Sequence, residues 1–130
     1  MIFVDTNYFI SLLVNRNNLQ KKIAEKLFVE AAIGETDIFT STIVVFEVYW
    51  VLSRFYKKQP QDAVKLIRKI LELSFLRIQD KQLLSDATTA SLKNKVGFYD
   101  SFNLLYAKKH KAKDFKTFDT KLHKVFLASK

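Results

Sequence analysis

A chain of 130 residues with 22 Lys plus Arg against 13 Asp plus Glu carries a formal net charge of +9, which favours an anionic partner, nucleic acid first. The absence of cysteine excludes disulfides and thiolate metal sites and fits a reducing, cytoplasmic setting, while a hydrophobic fraction of 48%, with twelve Phe, five Tyr and one Trp, supplies one domain spanning 1–130 with a core. No apolar run reaches the ~18 residues of a membrane span, and the chain enters a strand at once with no basic leader, so neither a membrane partner nor a signal peptide is expected.

Met1-Ile2-Phe3-Val4 is a short apolar run that meets Asp5-Thr6-Asn7 directly, the pattern of a buried parallel strand that ends in polar residues. Tyr8 to Val14 then reads as a helix, with Asp5 at the junction, where an acid also suits a helix cap. Asn17 and Asn18 mark a turn, and Leu19 to Ile33 carries apolar residues at helical spacing up to a stop at Gly34. Asp37 to Thr40 is a second strand. Ser41 or Thr42 caps a helix over Ile43 to Tyr56, and Pro60 opens a fourth helix that runs to about Leu73. Phe75 to Gln79 is a third strand, after which Asp80 caps a helix to about Asn94. Gly97 breaks the chain before a helix over Tyr99 to His110, Phe115 to Phe118 is a fourth strand, and Asp119 opens a last helix ending near Phe126. Phe126-Leu127-Ala128 carries a weak signal for a fifth strand. Strands separated by helices predict an α/β fold built on a parallel sheet with helices on both faces.

Four acids stand out in this frame. In open α/β sheets ligands bind outside the carboxyl ends of the strands, which is where Asp5 and Asp119 are expected. Asp100 lies in the first turn of the sixth helix, near the same edge. Each of these three is also a good helix-start residue. Glu47 is not, because it is the only charged residue within Thr42 to Leu52, and its helical neighbours Ile43, Val44, Trp50 and Val51 are apolar, so a buried site is expected for it. Two carboxylates about 5 Å apart repel by about 3 kcal/mol at an effective dielectric near 20, a penalty that a divalent cation removes. Oxygen donors without thiolates select Mg²⁺ or Mn²⁺, and such an ion in a basic protein points to phosphodiester hydrolysis.

The ordered set of Asp5-Thr6-Asn7 after a strand, Glu47 in an apolar helix, Asp100 at a helix start and Thr117-Phe118-Asp119 after a strand resembles the PIN domain, and within it the branch of VapC-like toxin ribonucleases. The resemblance covers essentially the whole chain. It implies a PIN-like three-layer sandwich with a central parallel sheet of four or five strands. It also implies a Mg²⁺- or Mn²⁺-dependent endoribonuclease in which Asp5, Glu47, Asp100 and Asp119 form the acidic metal and catalytic site, supported by Thr6 or Asn7 and by Thr117. Asn103 and Thr120 stand where some members carry further acids, which argues against a fully occupied second metal site. A small antitoxin protein and a homodimer are also implied.

The other residues read more plainly. The C-terminal lysines, among them Lys108, Lys109 and Lys111, suit contact with the RNA backbone, and with only four arginines base-specific reading is not expected. His110 fits a helix end and His123 the surface, with no acid partner evident for either. Tyr8, Tyr49, Trp50, Phe98 and Tyr99 read as core, although Tyr99 beside Asp100 can line a cleft. The competing functions are a basic module that holds RNA without cutting it, an RNA-processing PIN nuclease that is not a toxin, and a phosphatase-like enzyme with a nucleophilic Asp5. The lack of a second acid at position 7 argues against the last.

Overall fold

The computed structural model describes residues 1–15 and 18–129, so the turn read at Asn17, as well as Arg16 and Lys130, lies outside the described residues. The chain divides into two compact units, Met1–Lys81 and Gln82–Lys130.

The first unit is built on a parallel sheet of β1 (Ile2–Phe3), β2 (Ile38–Thr40) and β3 (Leu76–Ile78), in the order β1-β2-β3. Ile2 pairs with Ile38, and Ile38 with Leu76. β2 is central, with Ile38 and Thr40 buried, as expected of a strand hydrogen-bonded on both sides. Backbone bonds from Ile2 N to Asp37 O and from Val4 N to Phe39 O carry the pairing of β1 as far as Val4. The buried Thr40 hydroxyl donates to the Val4 carbonyl at 2.7 Å, which pins the end of β1 immediately before Asp5.

The crossovers are helical. α1 (Thr6–Leu13) packs on α2 (Asn18–Ala32) and on α3 (Thr42–Trp50), and α3 packs on α4 (Pro60–Leu71). An eight-residue helix such as α1 is marginal alone and holds through its packing. Its buried Phe9 meets Phe28 of α2 edge-on at 5.5 Å, and the Lys21 ammonium donates to the Ser11 and Leu12 carbonyls at its end. α2 ends at Gly34, whose φ of 84° gives the left-handed turn that glycine adopts without cost. Ser41 caps α3 by accepting from Val44 N at 3.2 Å. From Val51 to Phe55 the α3 axis continues as a π-helical turn, with Tyr56 N bonded to Val51 O. Pro60 opens α4, which buries Ala63, Val64, Ile67, Ile70 and Leu71 along one stripe.

In the second unit, α5 (Lys81–Asn94), whose first residue closes the first unit, is followed by α6 (Phe98–Lys109) and α7 (Thr120–Ala128). The hydroxyls of Ser91 and Ser101 both donate to the Val96 carbonyl, at 2.6 and 3.3 Å, and so tie α5 to α6 across the break at Gly97. Leu104, Leu122 and Phe126 form the core here, with Phe115 packed against them.

The α/β class, the parallel sheet and the flanking helices match the expectation. Two elements differ. Among the described residues the sheet holds three strands, and Phe115 to Phe118, expected as the fourth, is irregular. The segment keeps the in-out alternation of a strand, with Phe115 and Thr117 half-buried and Lys116 and Phe118 exposed, which is the signal the sequence carries. Phe126-Leu127-Ala128, the weak fifth strand, lies in α7, because Phe126 is drawn into the Leu104–Leu122 core at helical spacing. Asp80 precedes α5 with a φ of 59° rather than the extended backbone usual for a cap.

Candidate active site

In the first unit, Asp5 stands where the sheet ends and α1 begins. Its backbone is extended and its Oδ1 accepts from Thr6 N at 2.8 Å, so it does cap the helix. That use leaves most of its lone pairs free, since a carboxylate accepts at about four positions. The side chain is exposed and borders a cleft of about 420 Å³ with Tyr8, Lys26 and Glu30. Thr6, buried to 4% exposure, donates its hydroxyl to Glu47 Oε1. The bond links the start of α1 to the middle of α3. Asn7 is exposed beside it.

Glu47 differs from its expected burial. Ile43, Glu47 and Trp50 form an exposed stripe at helical spacing, with Ile43 76% and Trp50 54% exposed, while Val44, Val45, Val48 and Tyr49 face inward. The local run is apolar on every side, so period alone could not assign its wet face. Tyr8 and Tyr99 are likewise exposed, whereas Tyr49 and Phe98 are core as expected.

In the second unit, Asp100 in the first turn of α6 and Asp119 at the start of α7 border one cleft of about 120 Å³, together with Lys95, Gly97 and Lys121. Asp119 Oδ1 accepts from Leu122 N at 3.0 Å, a helix cap, and Thr117 Oγ1 accepts from Asp119 N at 3.1 Å. Thr117 thus supports the backbone of Asp119. Gly97 lines the same cleft, and a Cβ there would sit 4.0 Å from Asp100 Oδ2, an ordinary van der Waals contact. Lys108, Lys109 and Lys111 lie exposed at and just beyond the end of α6.

The structure therefore brings Asp5 and Glu47 together through Thr6, and Asp100 and Asp119 around one cleft. Within neither unit do three Asp, Glu or His side chains gather into a ligand cluster among the described residues. All the donors are carboxylates. Mg²⁺ is usually held by one or two carboxylates with retained waters and substrate phosphate, so this donor set fits such an ion.

One cluster escaped the sequence reading. His123 Nε2 lies 3.0 Å from Asp114 Oδ1, and the Lys116 ammonium 2.8 Å from Asp114 Oδ2, so His123 has an acid partner after all. The Lys116 ammonium, then His123 and the Phe115 amide, hold the Asp114 carboxyl well below the usual carboxylate range, and Asp114 in turn raises the pKa of Lys116. A spacing of nine residues across a loop has no periodic signal that could have announced this pair. Lys81 is a second case. Its ammonium donates to the Leu73 and Leu76 carbonyls at 2.6 and 2.8 Å, and burial pushes its pKa down.

A parallel α/β sheet whose first strand delivers an aspartate to a helix start, with a second aspartate pair at the starts of two later helices, defines a class of carboxylate-bearing α/β proteins. The sequence matches the family model of the PIN domain over residues 2–126, a span that runs through both units, and the chain belongs to that family. PIN domains are generally metal-dependent nucleases. A search among curated proteins found no match. No helix among the described residues is long and apolar enough to cross a membrane.

Proposed function

We propose that this protein is a Mg²⁺- or Mn²⁺-dependent endoribonuclease and the toxin of a toxin–antitoxin pair, acting in the cytoplasm as a homodimer restrained by a small antitoxin protein. The observation that carries the nuclease reading is the cleft bordered by Asp100, Asp119, Lys95 and Lys121. Carboxylates and lysines facing one opening match the two demands of phosphodiester cleavage, which are acceptors for water or a cation and cations for phosphate.

Asp100 and Asp119 of the second unit, and Asp5 and Glu47 of the first, are the acids proposed as metal ligands. When bound, the metal would lower the pKa of a water and offset charge on the phosphate in the transition state. The chain's own residues do the positioning. Thr6 orients Glu47, Thr117 orients the Asp119 backbone, and Lys95 and Lys121 attract the scissile phosphate.

The test is incubation of the purified protein with mixed single-stranded RNA in Mg²⁺, in Mn²⁺ and in chelator. Metal-dependent internal cuts that vanish in Asp100→Asn support the enzyme. Binding without cuts favours the non-cleaving module instead. Growth arrest on expression in a bacterial host, absent for Asp5→Asn, supports the toxin role over RNA processing.

A further inference from the structure

Trp50, the single tryptophan of the chain, ends α3 with 54% of its surface exposed. Tryptophan is highly buried on average, so this much indole left in water is unusual. Val48, Tyr49 and Leu52 around it turn inward, and no ring packs on Trp50 among the described residues. Glu47, three residues earlier, stands on the same face at roughly 5–6 Å between Cβ atoms. The Thr6 hydroxyl holds its carboxylate there. Arg54, four residues after Trp50, is exposed as well. The axis is π-helical from Val51 to Phe55, and i→i+5 bonding aligns residues four to five apart, so Arg54 follows Trp50 along one side. The Ser53 hydroxyl donates to the Tyr49 carbonyl at 2.8 Å and supports this turn. Lys57 and Lys58 are exposed just beyond, and no acid occurs between Glu47 and Asp62. The order along this side is therefore acid, ring, then cations, all within the first unit.

We propose that Trp50 is a stacking platform for one base of a single-stranded RNA, an inference that rests on the nuclease reading for the identity of the strand. Every base has a π-face, so an open indole accepts any of them. A base seated on Trp50 leaves its strand to run towards Arg54, Lys57 and Lys58 on one side and towards Glu47, an acid proposed as a metal ligand, on the other. Trp50 would thus fix which nucleotide lies next to Glu47. Charge selects the occupant. The core of a protein interface is depleted of charged groups, whereas Glu47 and Arg54 flank this ring on both sides. A second copy of this chain would bring another +9 against the same cations, and a polyanion is drawn to them.

The test reads Trp50 directly, because no other tryptophan contributes to the emission. The full chain is titrated in chelator with a single-stranded oligoribonucleotide, and with an abasic oligonucleotide of the same length and charge. The intact strand should quench the emission on binding, and the abasic strand should bind without quenching. Trp50→Ala should weaken binding to the intact strand about tenfold, the scale of one lost base stack, and leave binding to the abasic strand unchanged. Trp50→Phe should recover part of that loss, because a smaller ring still stacks. Arg54→Gln should lower the slope of log affinity against log salt by about 0.7, one phosphate contact, while Trp50→Ala keeps the slope. Ile43→Ala, at an exposed apolar residue one turn before Glu47, is the control that should change neither affinity nor quenching. Equal affinity of wild type and Trp50→Ala for the intact strand, or equal quenching by the two strands, would overturn the platform. So would unchanged RNA binding in Trp50→Ala together with a loss of self-association in sedimentation, which would make this side an interface between copies. If wild type binds with quenching yet never cuts in Mg²⁺ or Mn²⁺, the nuclease reading fails and the platform stands. If wild type cuts while Trp50→Ala binds equally well, the platform fails and the nuclease stands.

Discussion

The Thr6 hydroxyl donates to the Glu47 carboxylate across 41 residues of chain, so the helix that follows β1 and the helix that follows β2 meet at a polar contact beside Asp5. Glu47 is exposed while Thr6 is buried, so the contact orients the carboxylate without sealing it from solvent. Thr6→Val should cost about 1 kcal/mol, because water can replace the lost donor at Glu47 but the packing remains. Glu47→Gln keeps an acceptor for Thr6 and should melt close to wild type in chelator while losing cleavage. Melting curves and RNA cleavage on both variants check this, and a Glu47→Gln protein that cuts like wild type removes Glu47 from the site.

Asp119 is a helix cap and a candidate ligand at once, and substitution separates the two roles. Asn caps about as well as Asp, so Asp119→Asn should keep its stability within a few tenths of a kcal/mol and lose cleavage. Asp119→Ala should lose about 1 kcal/mol in addition. If Asp119→Asn retains full metal-dependent cleavage, the residue is a cap alone.

The Asp114 carboxyl is held well below its ordinary value, chiefly by Lys116. A carboxylate whose folded-state pKa is depressed stabilises the fold above its unfolded pKa, about 3.9, and that contribution is lost as pH falls through the lower folded value. Lys116→Gln should move the Asp114 midpoint up towards the ordinary range in an NMR titration. The group is exposed, so salt should weaken the shift in the wild type. A midpoint already ordinary in wild type at low salt contradicts the ion pair.

Lys108, Lys109 and Lys111 are proposed to meet RNA phosphates. Changing all three to Gln should weaken binding to single-stranded RNA and reduce the slope of log affinity against log salt by about 2, given about 0.7 per phosphate contact. Titrations at several salt concentrations read the slope directly. An unchanged slope would mark these lysines as a solvated surface.

Gly34 ends α2 at a φ of 84° with open space around its Cα. Gly34→Ala meets no clash but must hold an L side chain in the left-handed region, and should cost about 1 kcal/mol. Denaturant unfolding measures it; a neutral or stabilising effect would show that the turn can relax.

Much of this protein is local and therefore legible in its residues. The apolar run into Asp5, the Gly34 stop, the Ser41 cap, Pro60 at the head of α4 and the Asp119 cap all follow from backbone chemistry within a few neighbours, and the structure places each as expected. The candidate acids could be named for the same reason, since an acid at a strand end or helix start has few local roles. Tertiary structure decided what depends on distant partners. Which side of the uniformly apolar α3 faces water was set by its packing on α1 and α4, which left Glu47 exposed and bonded to Thr6. Phe115 to Phe118 alternates like a strand, but a strand exists only when a neighbour pairs with it, and Phe115 packs into the α6–α7 core instead. The Asp114–His123 pair, too, is joined only because the loop folds back on α7, since no short-range rule links residues nine apart across a turn.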